Sequence, residues 1–263
     1  MIEILFPYLV GSVAFNIVLF LIAYKLQSDK LTDISYALTF LFIAITAFVV
    51  NNTTIYTVIV LAMVALWAIR IGGFLLYRVI KSGKDSRFDS MRSHFFKFGQ
   101  FWLLQGISVW ILMIPVTLAL YSKSSQIGLV SYAGLLIFLF GLSVETIADL
   151  QKSKFKDNIA NHNKWIDSGL WRYSRHPNYF GEILIWIGLY IYAFQSLGLF
   201  SALVASISPI FISLLLIFVS GIPLLEKSAN SRWGKDEKYI DYKRKTSVLI
   251  LMPNRKIRSK QVK

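Results

Sequence analysis

Residues 128–149 read GLVSYAGLLIFLFGLSVETIAD, an apolar run closed by two carboxylates four positions apart. A stretch of about 20 largely apolar residues is what one bilayer crossing by a helix requires. On such a helix Glu145 and Asp149 share one face, and two acids at the end of a span are costly unless something partners them. Comparable windows lie near 4–24, 36–50, 55–77, 98–121, 178–195 and 199–225. Hydrophobic residues make up 56% of the 263 positions, charged residues 16%, and the mean hydropathy is +0.57. The expected fold is therefore all-α: a single domain, an integral membrane bundle of seven transmembrane helices with a tail over 226–263. The first window has no basic flank before Ile4 and is expected to be a retained span rather than a signal peptide.

Charge placement orients this bundle. The connections after the first, third and fifth windows and the tail after the seventh carry 2, 6, 6 and 12 lysines and arginines. The opposite connections carry only Lys123, and Arg70 falls inside the third window. Basic residues gather on the cytoplasmic side, so the N-terminus is expected outside and the C-terminus in the cytoplasm. The formal charge of +14 then lies on one membrane face, where membrane lipids with anionic headgroups, and not nucleic acid, are the expected partners. Residues 231–246, SRWGKDEKYIDYKRKT, suit an amphipathic helix at the interface.

Several chemistries are excluded. There is no cysteine, and His94, His162 and His176 have no companion at ligand spacing, so no metal site is expected. No glycine-rich dinucleotide fingerprint or P-loop occurs, and any nucleotide must be held by another device.

The polar residues at the span ends supply candidates. In WRYSRHPNYFGE, residues 171–182, Arg172, Arg175 and His176 precede a helix that Pro177 opens, with Asn178 and Glu182 one turn apart on it. Cationic side chains beside unpaired N–H groups at a helix start make a phosphate environment. Arg70 sits deep in the third window, seven residues before Tyr77, and an arginine there faces the bundle, either as a structural ion or as a ligand contact. Glu226 is followed by Trp233, Tyr239 and Tyr242, aromatics that suit a membrane belt or the face of a nucleobase.

Three tracts, ETIADLQKSKFK, SGLWRYSRHPNYFGEIL and EKSANSRWGKDEKYIDYKRKTSVLI, together resemble the steroid 5-alpha-reductase-like membrane proteins, in a bacterial branch of undefined substrate. The resemblance covers most of residues 60–253. It implies seven spans, a C-terminal half that holds NADPH, and hydride transfer to an activated carbon–carbon double bond of a lipophilic substrate drawn from the bilayer. By matched position it implies cofactor contacts at Asp149, at Glu145 where the family has asparagine, and at Asn178 and Glu182. Lys156 and Lys164 stand where the steroid enzymes use arginine, and with Arg172 and Arg175 they would hold phosphates; His176 and Tyr242 complete the cofactor set. The second window, SYALTFLFIAITAFVV, lacks the glutamine–glutamate pair of the steroid enzymes, and Arg70 replaces their tyrosine. Arg70 and Tyr77 are the expected catalytic residues, Arg70 polarising a carbonyl oxygen of the acceptor and Tyr77 or water supplying the proton, with the acceptor left open.

The element Arg175-His176-Pro177-Asn178-Tyr179-Phe180-Gly181 is also similar to one in the isoprenylcysteine and phospholipid methyltransferases, which use S-adenosylmethionine. Their second element has two adjacent glutamates, whereas here Glu226 is followed by Lys227. A non-enzymatic transporter or lipid-binding protein is the third class. The basic connections and absent cysteine point to a bacterial inner membrane.

Overall fold

The structure, a computed structural model, describes residues 1–28, 30–51, 53–82, 91–124 and 126–254, with the side chains of Lys30 and Ser82 left aside. Ten α-helices occur among them: α1 Ile2–Lys25, α2 Lys30–Val49, α3 Ile55–Ser82, α4 Phe95–Leu120, α5 Leu129–Asp157, α6 Pro177–Phe194, α7 Leu199–Ala205, α8 Ile207–Leu214, α9 Ile222–Trp233 and α10 Glu237–Lys245. No strand occurs among the described residues; Ser174 and Ser247 form an isolated bridge. Among the described residues six segments are long and apolar enough to cross a membrane: α1 to α5 and the run Leu199–Trp233. The chain is thus a membrane-embedded helical protein. The sixth of the seven expected windows is helical as α6, but Asn178 and Glu182 in its first turns lower its mean hydropathy, and it is not among the six.

The chain divides into two compact units. The first comprises Met1–Leu135 and Leu189–Phe211. In it α4 packs against α1 and α2, and α2 against α3. Phe20, Ala23, Phe98 and Trp102 form one buried cluster, and Leu5, Ile114, Leu118 and Ala205 another. The helix α2 begins six residues before the window expected at 36, because Thr32 and Ser35 are buried and hydrogen-bonded despite their polarity. Ser35 belongs to a network: Gln105 donates to Ser35 Oγ at 2.8 Å and to Asn16 Oδ1 at 2.9 Å, while Asn16 donates to Thr39 Oγ1 at 3.1 Å. In hydrocarbon these amides and hydroxyls have only one another and nearby backbone carbonyls to bond, and the bonds between helices set the register of α1, α2 and α4.

The second unit comprises Leu136–Gly188 and Ile212–Lys263. Here α5 and α6 touch backbone to backbone at Gly141 and Gly181: a Cβ on Gly181 would lie 2.6 Å from Glu145 N and 2.7 Å from Gly141 O. Small residues permit this approach. The helix α5 runs two turns beyond the apolar window, as far as Asp157. Gln151 on this extension accepts from Leu170 N at 2.9 Å, and the Trp171 indole donates to Ala148 O at 3.0 Å. The turn between them needs Gly169, whose φ of +58° disfavours a side chain.

The last window is not one uninterrupted helix. A wide π turn over Leu215–Val219 and a break at Ser220 and Gly221 precede α9. The single interfacial helix expected over 231–246 is likewise two elements, because Asp236 caps α10 by accepting from Lys238 N at 2.8 Å.

Candidate functional site

Within the second unit a cleft of about 200 Å³ is lined by the end of α5, the loop before α6, α9 and α10. The polar extension of α5 brings Lys152, Phe155 and Lys156 to it; the loop brings Lys164, Trp165, Trp171, Arg175 and His176; α9 brings Glu226, Arg232 and Trp233; and α10 brings Tyr239 and Tyr242. Five lysines and arginines therefore face one carboxylate among the described lining residues.

That carboxylate is the hub of the site. Arg175 donates to Glu226 Oε2 at 2.8 Å, His176 Nε2 lies 3.0 Å from Oε1, and Lys243 Nζ lies 3.1 Å from Oε2. The side chains of Arg175, His176 and Glu226 are 12%, 6% and 18% exposed, so water screens these pairs only weakly. Glu226 thus offsets part of the charge of Arg175 and Lys243, and Lys164 and Arg232 add further positive charge to the lining.

Aromatic rings form the second component. Trp165 meets Tyr239 at 5.2 Å and Trp233 at 6.1 Å between centroids, both edge-on, and Trp233 lies 5.8 Å from Tyr239. The group is tied in place by polar tips: Trp233 Nε1 donates to Asn163 O at 2.7 Å, and Tyr242 donates to Trp171 O at 2.8 Å. Lys152 Nζ sits 4.6 Å from the Trp171 ring centroid. Burial pushes the Tyr242 phenol above its ordinary value, which keeps it a neutral donor.

Buried polar atoms await partners. Trp165 Nε1, Arg175 Nε, His176 Nδ1 and Asn178 Oδ1 are inaccessible to water and have no hydrogen-bond partner among the described residues. Burial holds the His176 imidazole below its ordinary value of 6.5; Glu226 opposes this, and Lys152 and Arg175 reinforce it. The ring is accordingly neutral at pH 7. Its Nε2–H serves the Glu226 carboxylate, and Nδ1 is left as an acceptor.

A pH dependence follows. The unfolded chain protonates this histidine at 6.5 and the folded chain only at lower pH, so the unfolded state binds more protons in the interval. The stability that neutral His176 contributes is complete above 6.5 and is lost as pH falls through the folded value. The thermal midpoint in detergent is expected to fall between about pH 7 and pH 5, and His176→Gln, which keeps a donor but does not titrate, should flatten that slope. An unchanged slope in the variant refutes this origin.

Of the residues expected from sequence, Lys156, Lys164, Arg175, His176 and Tyr242 line the cleft together. Glu145 and Asp149 are buried on α5, 3% and 6% exposed, and are not among the lining residues. Asn178 and Glu182 stand half-buried on the first turns of α6, and Arg172 is exposed. Arg70 and Tyr77 lie in the other compact unit: Arg70 is 5.7 Å from the Phe74 ring, and Tyr77, 50% exposed, lies under Lys81. Sequence reading missed Lys152, Trp165 and Arg232 and the central part of Glu226. One signal was present, since Asp149, Lys152 and Lys156 recur at helical spacing on one face of α5.

A family model described as a protein of unknown function (DUF1295) matches residues 19–246, most of the chain. No curated protein and no solved structure matches it.

Proposed function

We propose that this chain, which belongs to the DUF1295 family, is a membrane oxidoreductase that binds NADPH in the cleft and reduces an activated C=C bond of a lipophilic substrate. The observation that carries this reading is the charge of the cleft lining: Lys164, Arg175 and Arg232, joined by Lys152 and Lys156, against Glu226, itself engaged by Arg175, Lys243 and the neutral His176. Phosphates relieve such an excess, whereas a sulfonium would add to it. The triangle of Trp165, Trp233 and Tyr239 offers apolar faces to a heteroaromatic base. Trp165 Nε1 and Arg175 Nε offer donors and His176 Nδ1 an acceptor, a mixed set that suits a nucleoside.

In this reading Lys156, Lys164 and Arg175 hold phosphate oxygens, and Arg172 adds charge at the start of α6. Asp149, Asn178, Glu182 and Glu145, which are not among the residues lining the cleft, are assigned by the sequence resemblance to ribose hydroxyls or a carboxamide. NADPH, when bound, supplies the hydride. Arg70 is assigned to counter the negative charge that develops on the acceptor, and Tyr77 to deliver the proton; that pair rests on the sequence resemblance. Seven spans, an outer N-terminus and a cytoplasmic C-terminus, in a bacterial inner membrane, complete the proposal, supported by the distribution of basic residues.

One observation favours a methyltransferase that uses S-adenosylmethionine. The cleft of about 200 Å³ is smaller than the roughly 300–1,000 Å³ of pockets that enclose a drug-sized ligand. A dinucleotide would extend out of it, and the smaller methyl donor would extend less.

Binding of each coenzyme to the detergent-purified protein separates the two. Saturable NADPH binding is expected, about tenfold weaker in Lys156→Ala or Lys164→Ala if each lost cation removes one charge-assisted phosphate contact. Binding of S-adenosylmethionine alone establishes the methyltransferase, and binding of neither removes both.

A further inference from the structure

A second set of hollows shares Arg175 with the cleft but is built differently. One is lined by Arg175, Lys243, Arg244 and the segment 246–250, and no acidic residue lines it among the described residues. Another, lined by Arg175, Lys243, Arg244, Asn230 and Tyr239, also lacks an acid. Arg175 and Lys243 share the one negative charge of Glu226, Lys243 also donates to Asn230 at 2.7 Å, and Lys245 is paired with Asp241. Arg244 has no carboxylate partner among the described residues. The hollow thus keeps a positive excess.

The segment after α10 is pinned and lopsided. Arg175 N donates to Ser247 O at 2.8 Å, Ser174 Oγ to Leu249 O at 2.6 Å, and Met252 N to Tyr173 O at 3.2 Å. Held in this way it presents every second side chain outward: Val248, Ile250 and Met252 are 41%, 48% and 47% exposed, while Leu249 and Leu251 between them are partly covered. Tyr173 beside it is also exposed. Beyond Asn254 the sequence adds Arg255, Lys256, Arg258, Lys260 and Lys263. A row of exposed apolar side chains next to an acid-free basic hollow combines the two attractions that hold a segment at a lipid surface.

We propose that the hollow of Arg175, Lys243, Arg244 and residues 246–250 holds the headgroup of an anionic phospholipid, with Val248, Ile250 and Met252 entering the boundary of its acyl chains. Charge complementarity selects the anionic headgroup, and the apolar row selects a lipid over free phosphate. The site shares Arg175 with the coenzyme cleft, but the proposal does not rest on the coenzyme reading.

The test uses the full chain, reconstituted into vesicles of phosphatidylcholine and phosphatidylglycerol, re-extracted in detergent, with retained lipid counted by mass spectrometry. Wild type should retain phosphatidylglycerol in preference to phosphatidylcholine. Arg244→Gln should lower retained phosphatidylglycerol about fivefold, the factor for one basic residue at an anionic surface, and leave phosphatidylcholine unchanged. Because the described chain has no cysteine, Ile250→Cys can carry a fluorophore, which shallow spin-labelled lipids should quench. Equal phosphatidylglycerol in wild type and Arg244→Gln, an unquenched label, or full displacement of the lipid by inorganic phosphate overturns the proposal. No coenzyme enters these readouts, so their failure and that of the reductase reading are distinguishable.

Discussion

Glu226→Ala is expected to destabilise the second unit by about 3 kcal/mol or more and to abolish the NADPH binding proposed for the cleft. The substitution removes the carboxylate that Arg175, His176 and Lys243 share, at 2.8, 3.0 and 3.1 Å. Breaking one side of a mostly buried pair leaves the other charge in a poorly solvated place, which is why such losses exceed the worth of a surface ion pair. Loops are also released, since Arg175 lies in the loop before α6, Glu226 on α9 and Lys243 on α10. Glu226→Gln separates the roles: the amide can still accept from His176, so folding should recover in part, while the cleft gains one positive charge. The measurements are the thermal midpoint by size-exclusion after heating and NADPH titration. A Glu226→Ala protein with a wild-type midpoint would refute the hub.

Gly181→Leu is expected to prevent assembly of the second unit, and Gly181→Ala to cost roughly 3 kcal/mol, the upper end of overpacking costs. A Cβ at this position meets Glu145 N at 2.6 Å, Gly141 O at 2.7 Å and Glu145 Cβ at 2.8 Å. Two of these three atoms are backbone and cannot swing aside, so α5 and α6 must separate. Glu145 would move with α5, and Glu182 follows Gly181 directly, so the acids assigned to the coenzyme would lose their register. Gly198→Ala is the control, because a Cβ there meets nothing within 4 Å. Equal yields of monodisperse protein for Gly181→Leu and Gly198→Ala would overturn this account.

Much of the fold is legible in the order of residues, and the departures have physical causes. Apolar windows mark helices because bilayer thickness demands a run of given length, a property of consecutive residues. The early start of α2 is not marked, since Thr32 and Ser35 read as polar until Asn16 and Gln105 are seen to be available to that network. Nor is the π turn at Leu215–Val219, which lies in an unbroken apolar stretch. The division of 231–246 at Asp236 is legible in retrospect as a cap, although the amphipathic pattern masks it.

Half of the expected cofactor set lines the cleft: Lys156, Lys164, Arg175, His176 and Tyr242. These are residues whose charge or ring stands out against an apolar background. Lys152, Trp165 and Arg232 did not stand out, because a lysine after a span and a tryptophan near a membrane have ordinary interfacial explanations.

By itself the sequence determined that this is a helical membrane protein with basic connections and polar groups at the ends of its apolar runs, since hydrophobic length and charge act locally along the chain. Only the tertiary structure decided that Arg175 and His176 meet Glu226 some 50 residues away. It also decided that Trp165, Trp233 and Tyr239 close into one triangle, and that Gly141 and Gly181 bring two helices into backbone contact. Those meetings depend on where loops and helix breaks direct the chain, and no single window of sequence encodes that path.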